Sequence, residues 1–350
     1  MFGTYRYFLA AMVALSHLYP RRFYWVGFYS VFGFYLLSGF LMTRVLHETY
    51  GLGREGIGRF LMNRALRVYP TYYAALLLAF AVLAAVPDAT CSVISRYVVS
   101  GSAWDYLRNI VLLGLDHSTR VKWIPPAWSL HVELVFYIAM PFVLARSSAT
   151  TVIWLVASLA YVVHSVSADA LPPERYFPVV AASLPFSIGS LIYWVRGRLP
   201  AIGGRTAAAI AALFAAHLLC ARILWGPVLH VMLQGFYVSL GLATLATLAL
   251  QRADDWHCPR WLRRSDAFLG NLTYPLFLCH FHVGALVWWL FPGWREPRLD
   301  FYALALIAAT AASWLMHVSV ERPLDRLRSA LRARRRESRG TAATLEASPP

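Results

Sequence analysis

Two residues near the N-terminus have side chains that could do acid–base or charge-stabilising chemistry inside a membrane. Arg6 and His17 interrupt an otherwise apolar stretch at residues 3–19. Charged and titratable side chains are costly at bilayer depth and are rarely kept there without a partner or a function. On a helix, their spacing is about three turns, which places both side chains near one face and about 16 Å apart. This spacing indicates two points along a path across the membrane rather than one compact site.

Glu133 completes the predicted catalytic group. It lies about two turns into the predicted span at 128–146, which enters from the outside, so its depth should match that of His17. A carboxylate beside an imidazole fixes the tautomer of the ring and raises its basicity. We therefore predict that His17 is a general base, that Glu133 orients it, and that Arg6 holds a substrate arm or stabilises developing negative charge. Acylation of His17 itself is the alternative route.

Arg64 and Arg67 stand one turn apart directly before a predicted span. Guanidinium groups suit bidentate contacts with phosphate, which favours recognition of a phosphorylated cytoplasmic ligand. Contact with lipid phosphates is the alternative. Ser38 and Gly39 form a small patch in the second span. Such a patch is typical of close helix packing, and it would also leave room for a narrow ligand arm.

His280 lies in the middle of the predicted span at 268–291. The neighbouring Cys279 and His282 superficially suggest a metal site. On a helix these three side chains point in different directions, so we expect no metal and expect His280 to face a cavity instead.

Composition indicates an all-α polytopic membrane protein. The chain has 350 residues, of which 59% are hydrophobic and only 14% charged. Soluble domains contain about 25% charged residues. We predict ten transmembrane helices, at residues 3–19, 26–46, 70–86, 128–146, 150–167, 176–195, 206–224, 228–250, 268–291 and 301–320.

The net charge of +15 is explained by membrane topology rather than by nucleic-acid binding. Most of the arginines fall on one side of the predicted spans, which predicts that both termini are cytoplasmic. Residues 54–69 are expected to form a separate interfacial helix, and residues 87–127 a long outer loop that caps a cavity. Residues 1–325 are expected to form the membrane domain. Residues 326–350 are expected to form a basic, disordered tail that contacts anionic lipids.

Taken in order, six motifs resemble the membrane-bound acyltransferase-3 family, which moves acyl groups from acyl-CoA to extracytoplasmic glycans and related acceptors. The resemblance covers about residues 1–325. The motifs are R-x10-H at 6–17, FYLLSGFL at 34–41, RALRVYP at 64–70, WSLHVELVFY at 128–137, YPLFLCH at 274–280 and ERP at 321–323.

The resemblance implies a multi-pass O-acyltransferase of the bacterial inner membrane that needs no permanently bound cofactor. Its donor would be acyl-CoA, with acetyl as the acyl group, and its acceptor a hydroxyl of an extracytoplasmic glycan or glycolipid. The residues implied on the donor side are Arg64, Arg67, Ser38, Gly39, Tyr274 and His280.

The chain departs from the family pattern in two ways. An acidic residue early in the second span is absent around residues 26–31, and no hydrolase-like domain follows the last span. The second departure leaves room for a separate periplasmic transferase as a partner. The competing interpretation is a transporter or flippase for a lipid-linked glycan, which would also place polar residues in a cavity. That class predicts paired broken helices or internal repeats, and the sequence shows neither.

Overall fold

A computed structural model describes residues 1–86, 101–252, 256, 258–291, 294 and 298–329, and only the backbone of Arg21. Throughout these ranges the chain forms helices joined by short connections, and they contain no strand. The α-helices are α1 Phe2–Leu18, α2 Pro20–Val45, α3 Arg54–Ala85, α4 Ala103–Val111, α5 Trp128–Ala139, α6 Ser148–Ser167, α7 Pro172–Tyr176, α8 Ser183–Val195, α9 Gly204–Trp225, α10 Val228–His230, α11 Phe236–Leu250, α12 Arg260–Leu290 and α13 Leu299–Met316.

The predicted all-α membrane architecture is confirmed. Within the described residues, seven helical segments are long and apolar enough to cross a membrane. They are Arg22–Tyr50, Arg54–Ala85, Pro125–Leu144, Ser148–Ser167, Gly204–Trp225, Val228–Leu250 and Leu299–Ser329. Shorter or less apolar helices occupy the other three predicted spans, at α1, at Val179–Val195 and at α12. The count of ten and the cytoplasmic placement of both termini stay predictions.

The predicted interfacial helix is not a separate element. Residues 54–69 form the first half of α3, a single helix of 32 residues that continues through Pro70. Proline removes one backbone donor, and a long helix that is packed against its neighbours can continue past that gap. Arg64 and Arg67 are thus fixed to a membrane helix rather than to a mobile surface helix.

The helix that begins with α13 continues to Ser329, past the predicted start of the tail. The side-chain amide of Asn63 donates to the carbonyl oxygen of Arg328 at 3.1 Å, which ties this last turn to α3. Residues 330–350, which make up most of the predicted tail, lie outside the described residues. So do residues 87–100 of the predicted outer loop.

Local hydrogen bonds hold residues 101–127 of that loop in place. The helix α4 begins at a capping box in which Ser102 and Asp105 satisfy each other's backbone amides. The amide of Asn109 then donates to the carbonyl oxygen of Val121 at 2.8 Å and accepts from the backbone of Trp123 at 2.9 Å. These bonds fold the described part of the loop back towards the start of α5.

Candidate active site

Glycines bring α1 and α12 into backbone contact. A Cβ atom on Gly3 would lie 1.8 Å from the carbonyl oxygen of Asp266, and one on Gly270 would lie 2.9 Å from the Cα atom of Gly3. At the other ends of the helices, a Cβ atom on Gly284 would lie 2.4 Å from the side chain of Leu18. Small residues allow such close approach of membrane helices. Because the contacts advance in the same direction along both helices, α1 and α12 run parallel.

This register places His17 beside His280. The Nδ1 atom of His17 lies 2.9 Å from Nε2 of His280, and Nδ1 of His280 lies 3.1 Å from the carbonyl oxygen of Leu276. A carbonyl oxygen only accepts, so Nδ1 of His280 carries a hydrogen and its Nε2 accepts. Nδ1 of His17 must then be the donor. The lone pair of His17 Nε2 is left available to a substrate, as a general base requires.

The prediction that Glu133 orients His17 is wrong, since His280 occupies the Nδ1 position of that ring. Instead, Glu133 is hydrogen-bonded by Ser38, whose hydroxyl lies 2.7 Å from Oε1, and by the hydroxyl of Tyr137. His280 was expected to face a cavity on the donor side. It is instead fully buried and is the hydrogen-bond partner of the predicted base.

The depth of Ser38 explains why Glu133 misses His17. A Cβ atom on Gly27 of α2 would lie 2.3 Å from the hydroxyl of Ser16, so Gly27 is level with the His17 end of α1. Ser38 follows eleven residues later on the same helix, which is a rise of about 16 Å. Glu133 therefore lies near the depth of Arg6, at the opposite end of the path from His17.

His17 lines a cavity of about 220 Å³, here named the histidine cavity. The ring of Phe281 packs against His17 with its centroid 4.6 Å away. None of the described residues that line this cavity is an Asp, Glu, Lys or Arg, and most are aromatic or carry a hydroxyl. They are Val13, Ser16, His17, Tyr24, Gly27, Phe28, Val31, His117, Pro126, Trp128, Ser129, Tyr176, Phe177 and Phe277.

A second cavity of about 140 Å³ contains the predicted arginines and is named the arginine cavity. It brings together Arg6 of α1 with Arg64 and Arg67 of α3, and Glu133 is the carboxylate in its wall. The other residues that line it are Val31, Phe34, Tyr35, Leu37, Ser38, Leu41, Met42, Val68, Ser129, Leu130, Tyr137, Thr273, Tyr274 and Phe277.

The positive charge of the arginine cavity is only partly neutralised by the protein. Arg67 forms an ion pair with the buried Glu321 at 3.2 Å. Arg64 donates to the side chain of Asn63 and to the sulfur of Met42, and its Nε atom is buried without a hydrogen-bond partner. Within the described parts of the chain, neither Arg64 nor Arg6 has a carboxylate oxygen within 4.0 Å. Guanidinium groups held in this way favour an anionic ligand.

Of the remaining predicted donor-side residues, Tyr274 lines the arginine cavity and Gly39 does not. The hydroxyl of Tyr274 donates to the carbonyl oxygen of Val68 at 2.9 Å, and the guanidinium carbon of Arg67 lies 5.8 Å from the centre of its ring. Gly39 instead faces α8, where a Cβ atom would lie 2.1 Å from the carbonyl oxygen of Phe186. The expectation that Gly39 borders a ligand arm is therefore wrong, and its role is close helix packing.

One face of α2 borders both cavities. Tyr24, Gly27, Phe28 and Val31 line the histidine cavity, while the arginine cavity is lined by the same helix from Val31 to Met42. These lining residues recur at spacings of three and four, so they form a single stripe along one face of the helix. From Tyr24 to Met42 this stripe rises about 27 Å, close to the hydrocarbon thickness of a bilayer of about 30 Å. The two cavities therefore follow each other across the membrane.

Comparison with known proteins gives the family. The acyltransferase domain family matches residues 5–318, nearly the whole described chain. The chain belongs to the membrane-bound acyltransferase-3 family. The predicted family is thus confirmed, and this chain is a multi-pass membrane acyltransferase. The transporter interpretation was based on polar residues that line a cavity. A membrane acyltransferase also has such residues, so they no longer favour a transporter.

Two curated relatives of this acyltransferase are bacterial. Nodulation protein 10 of Rhizobium leguminosarum bv. viciae is 24% identical, over 95% of each chain. An uncharacterised protein of Aquifex aeolicus (strain VF5) is 25% identical, over 64% of this chain and 97% of its own length. No solved structure matches the acyltransferase.

The sequence patterns do not single out Tyr137 or the role of Phe277, although both lie inside motifs of the resemblance. Tyr137 follows Glu133 by one helical turn, a spacing that could have indicated their contact. From the sequence, Phe277 is indistinguishable from an ordinary core residue, since its spacing does not set it apart from the aromatic residues around it.

Proposed function

We propose that this acyltransferase moves an acyl group, acetyl by the family resemblance, from cytoplasmic acyl-CoA across the bacterial inner membrane. The acceptor is a hydroxyl of an extracytoplasmic carbohydrate or related molecule. The observation that carries the proposal is the pair of cavities along α2, one rich in arginine and the other uncharged and aromatic. An anionic donor and a neutral hydroxylated acceptor match these two environments.

The donor occupies the arginine cavity. Arg64 is the main phosphate contact, because its guanidinium group has no carboxylate partner among the described residues. Arg67 assists from its ion pair with Glu321. The pantetheine arm then runs past Arg6 and Ser38 towards Val31. The rise of about 16 Å from Arg6 to His17 separates Arg6 from the reacting carbonyl, which favours its role in holding the arm over stabilising the oxyanion.

The acyl transfer takes place beside His17. Its Nε2 atom removes the proton from the acceptor hydroxyl, and the hydroxyl oxygen attacks the thioester carbonyl. The new C–O bond forms as the C–S bond breaks, and the CoA thiolate takes the proton from the imidazolium of His17. His280 accepts the hydrogen bond from Nδ1 throughout, and so holds the ring and stabilises the positive charge that develops on it. The acyl-His17 route uses the same nitrogen as the nucleophile.

The test uses the purified protein in oriented membrane vesicles with radiolabelled acetyl-CoA and a crude envelope-glycan acceptor. CoA release should require acetyl-CoA on the face that carries Arg64 and acceptor on the other face. The double variant Arg64→Ala, Arg67→Ala should weaken acetyl-CoA binding by at least about 150-fold, since each of the two charge-assisted bonds contributes about 1.5–3 kcal/mol. Arg59→Ala is the matched control, because Arg59 lies on the same helix in an ion pair with Glu55 and lines neither cavity.

Two results would overturn the proposal. One is equal acetyl-CoA binding by the double variant and the Arg59→Ala control, which would assign Arg64 and Arg67 to lipid phosphate instead. The other is acceptor acylation at the wild-type rate in a His17→Ala variant that is folded and inserted in the membrane.

A further inference from the structure

Three residues line both cavities and so mark the point where they meet. They are Val31 of α2, Ser129 of α5 and Phe277 of α12, here named the constriction. The hydroxyl of Ser129 donates to the carbonyl oxygen of Pro126 at 2.9 Å, which fixes that side chain. Val31 is only 6% exposed and is stiff because it is branched at Cβ. The constriction is therefore bounded on two sides by small, fixed side chains.

Phe277 is the largest side chain of the constriction. Its ring lies edge-on to that of Phe34 in the arginine cavity, with 6.2 Å between centroids. On the other side, its ring centroid is 6.3 Å from that of His280. Because Phe277 precedes His280 by about one turn of α12, its ring separates the arginine cavity from the histidine pair. Only 7% of its surface is exposed, so the ring is packed against its neighbours on nearly every side.

We propose that Phe277 limits the size of the acyl group that this enzyme transfers. The inference rests on the proposed function, in which the thioester arm extends from the arginine cavity towards His17. The acyl group is the leading end of that arm, so it reaches the constriction before the carbonyl carbon does. A short acyl group passes beside the Phe277 ring, whereas each added methylene competes with the ring for the same space. Discrimination of about 10- to 200-fold per methylene is typical of such pockets.

The experiment measures acyl transfer by the full-length protein in vesicles, with acetyl-, butyryl- and hexanoyl-CoA in turn. Wild-type protein should show rates that fall steeply from acetyl to hexanoyl. In Phe277→Ala the ratio of hexanoyl to acetyl transfer should rise by at least tenfold, and Phe277→Leu should give a smaller rise in the same direction. Val31→Ala removes bulk from the α2 side of the constriction and should also raise the ratio.

Phe301→Leu is the matched control, because Phe301 is a fully buried phenylalanine of α13 that lines neither cavity. Its ratio of hexanoyl to acetyl transfer should equal that of wild type. The inference is overturned if wild-type protein uses all three donors equally, or if the Phe277 variants transfer acetyl groups with an unchanged ratio. Absence of transfer from every acyl-CoA in wild type would instead overturn the proposed function itself.

Discussion

The hydrogen bond between His280 and His17 makes a quantitative prediction. Replacing His280 with leucine removes the acceptor for the Nδ1 hydrogen of His17. The leucine puts an apolar side chain of similar length in its place. That buried N–H would be left unpaired in the productive tautomer, at a cost of about 1–3 kcal/mol. His17 would then shift its hydrogen to Nε2, where it blocks the lone pair needed for catalysis. The same free energy corresponds to a fall in transfer rate of about 5- to 150-fold.

The assay is acceptor-dependent CoA release by purified His280→Leu protein, with folding checked by size-exclusion chromatography. His280→Gln keeps an amide oxygen that can accept from Nδ1, so it should retain more activity than His280→Leu. His17→Ala should lower the rate by about 10²- to 10⁴-fold, the range for general base catalysis.

The double variant His17→Ala, His280→Leu decides whether the two residues act as one unit. If His280 acts through His17, the double variant should be no slower than His17→Ala alone. Losses that multiply in the double variant would refute the reasoning, because they would mean that His280 contributes independently of His17. Equal activity of the leucine and glutamine variants would refute the role of the accepted hydrogen bond.

Two further predictions concern stability. Gly39→Ala should destabilise the protein by about 1–3 kcal/mol, because the new Cβ atom would overlap the Phe186 carbonyl. Gly241→Ala is the control and should leave the melting temperature unchanged, because no atom lies within 4 Å of its Cβ position. Burial alone would raise the pKa of Asp116, but hydrogen bonds from Ser118 and Thr119 lower it below its ordinary value. The carboxylate therefore stabilises the loop above its unfolded pKa of about 4, and this stability is lost as the pH falls through the lower folded pKa. Protection from hydrogen exchange at residues 112–124, measured relative to the intrinsic rate at each pH, should fall at that acidic pH. Asp116→Asn should show the lower protection already at neutral pH, and equal protection in both proteins would contradict this.

The sequence predicted the helices well because apolar runs and their interruptions are local features. It also predicted that Arg64 and Arg67 act together near the cytoplasmic start of a span and that Arg6 lies far from His17 along the path, and the structure places all three arginines in one cavity. This succeeded because position along a spanning helix converts directly into depth. Whether these arginines bind CoA stays a prediction.

Partner choice between helices could not be predicted in the same way. Matching depth suggested Glu133 as the partner of His17, on the assumption that this span begins at the outer surface. The helix α5 does begin at Trp128 as predicted, but Ser129 in its first turn already lies at the constriction. The contact is decided by which helix packs on α1, and that depends on backbone approach at Gly3 and Gly270. Such pairs of glycines are visible only once the helices are docked. The same limit applies to Gly39, whose face on α2 could not be assigned before α8 was known to cover it.

The separation of the two cavities gives a physical reason for keeping charge at one end of the path. A guanidinium group in the histidine cavity would repel the protonated forms of His17 and His280. It would therefore oppose a base that must accept a proton. Placing the arginines about 16 Å away leaves His17 in uncharged surroundings, where the bond to His280 alone determines its tautomer. An Arg introduced at Val13, which lines the histidine cavity, tests this directly. Val13→Arg should lower the transfer rate far more than Val13→Met, which adds comparable length without charge. Equal rates for the two variants would show that the charge separation has no catalytic consequence.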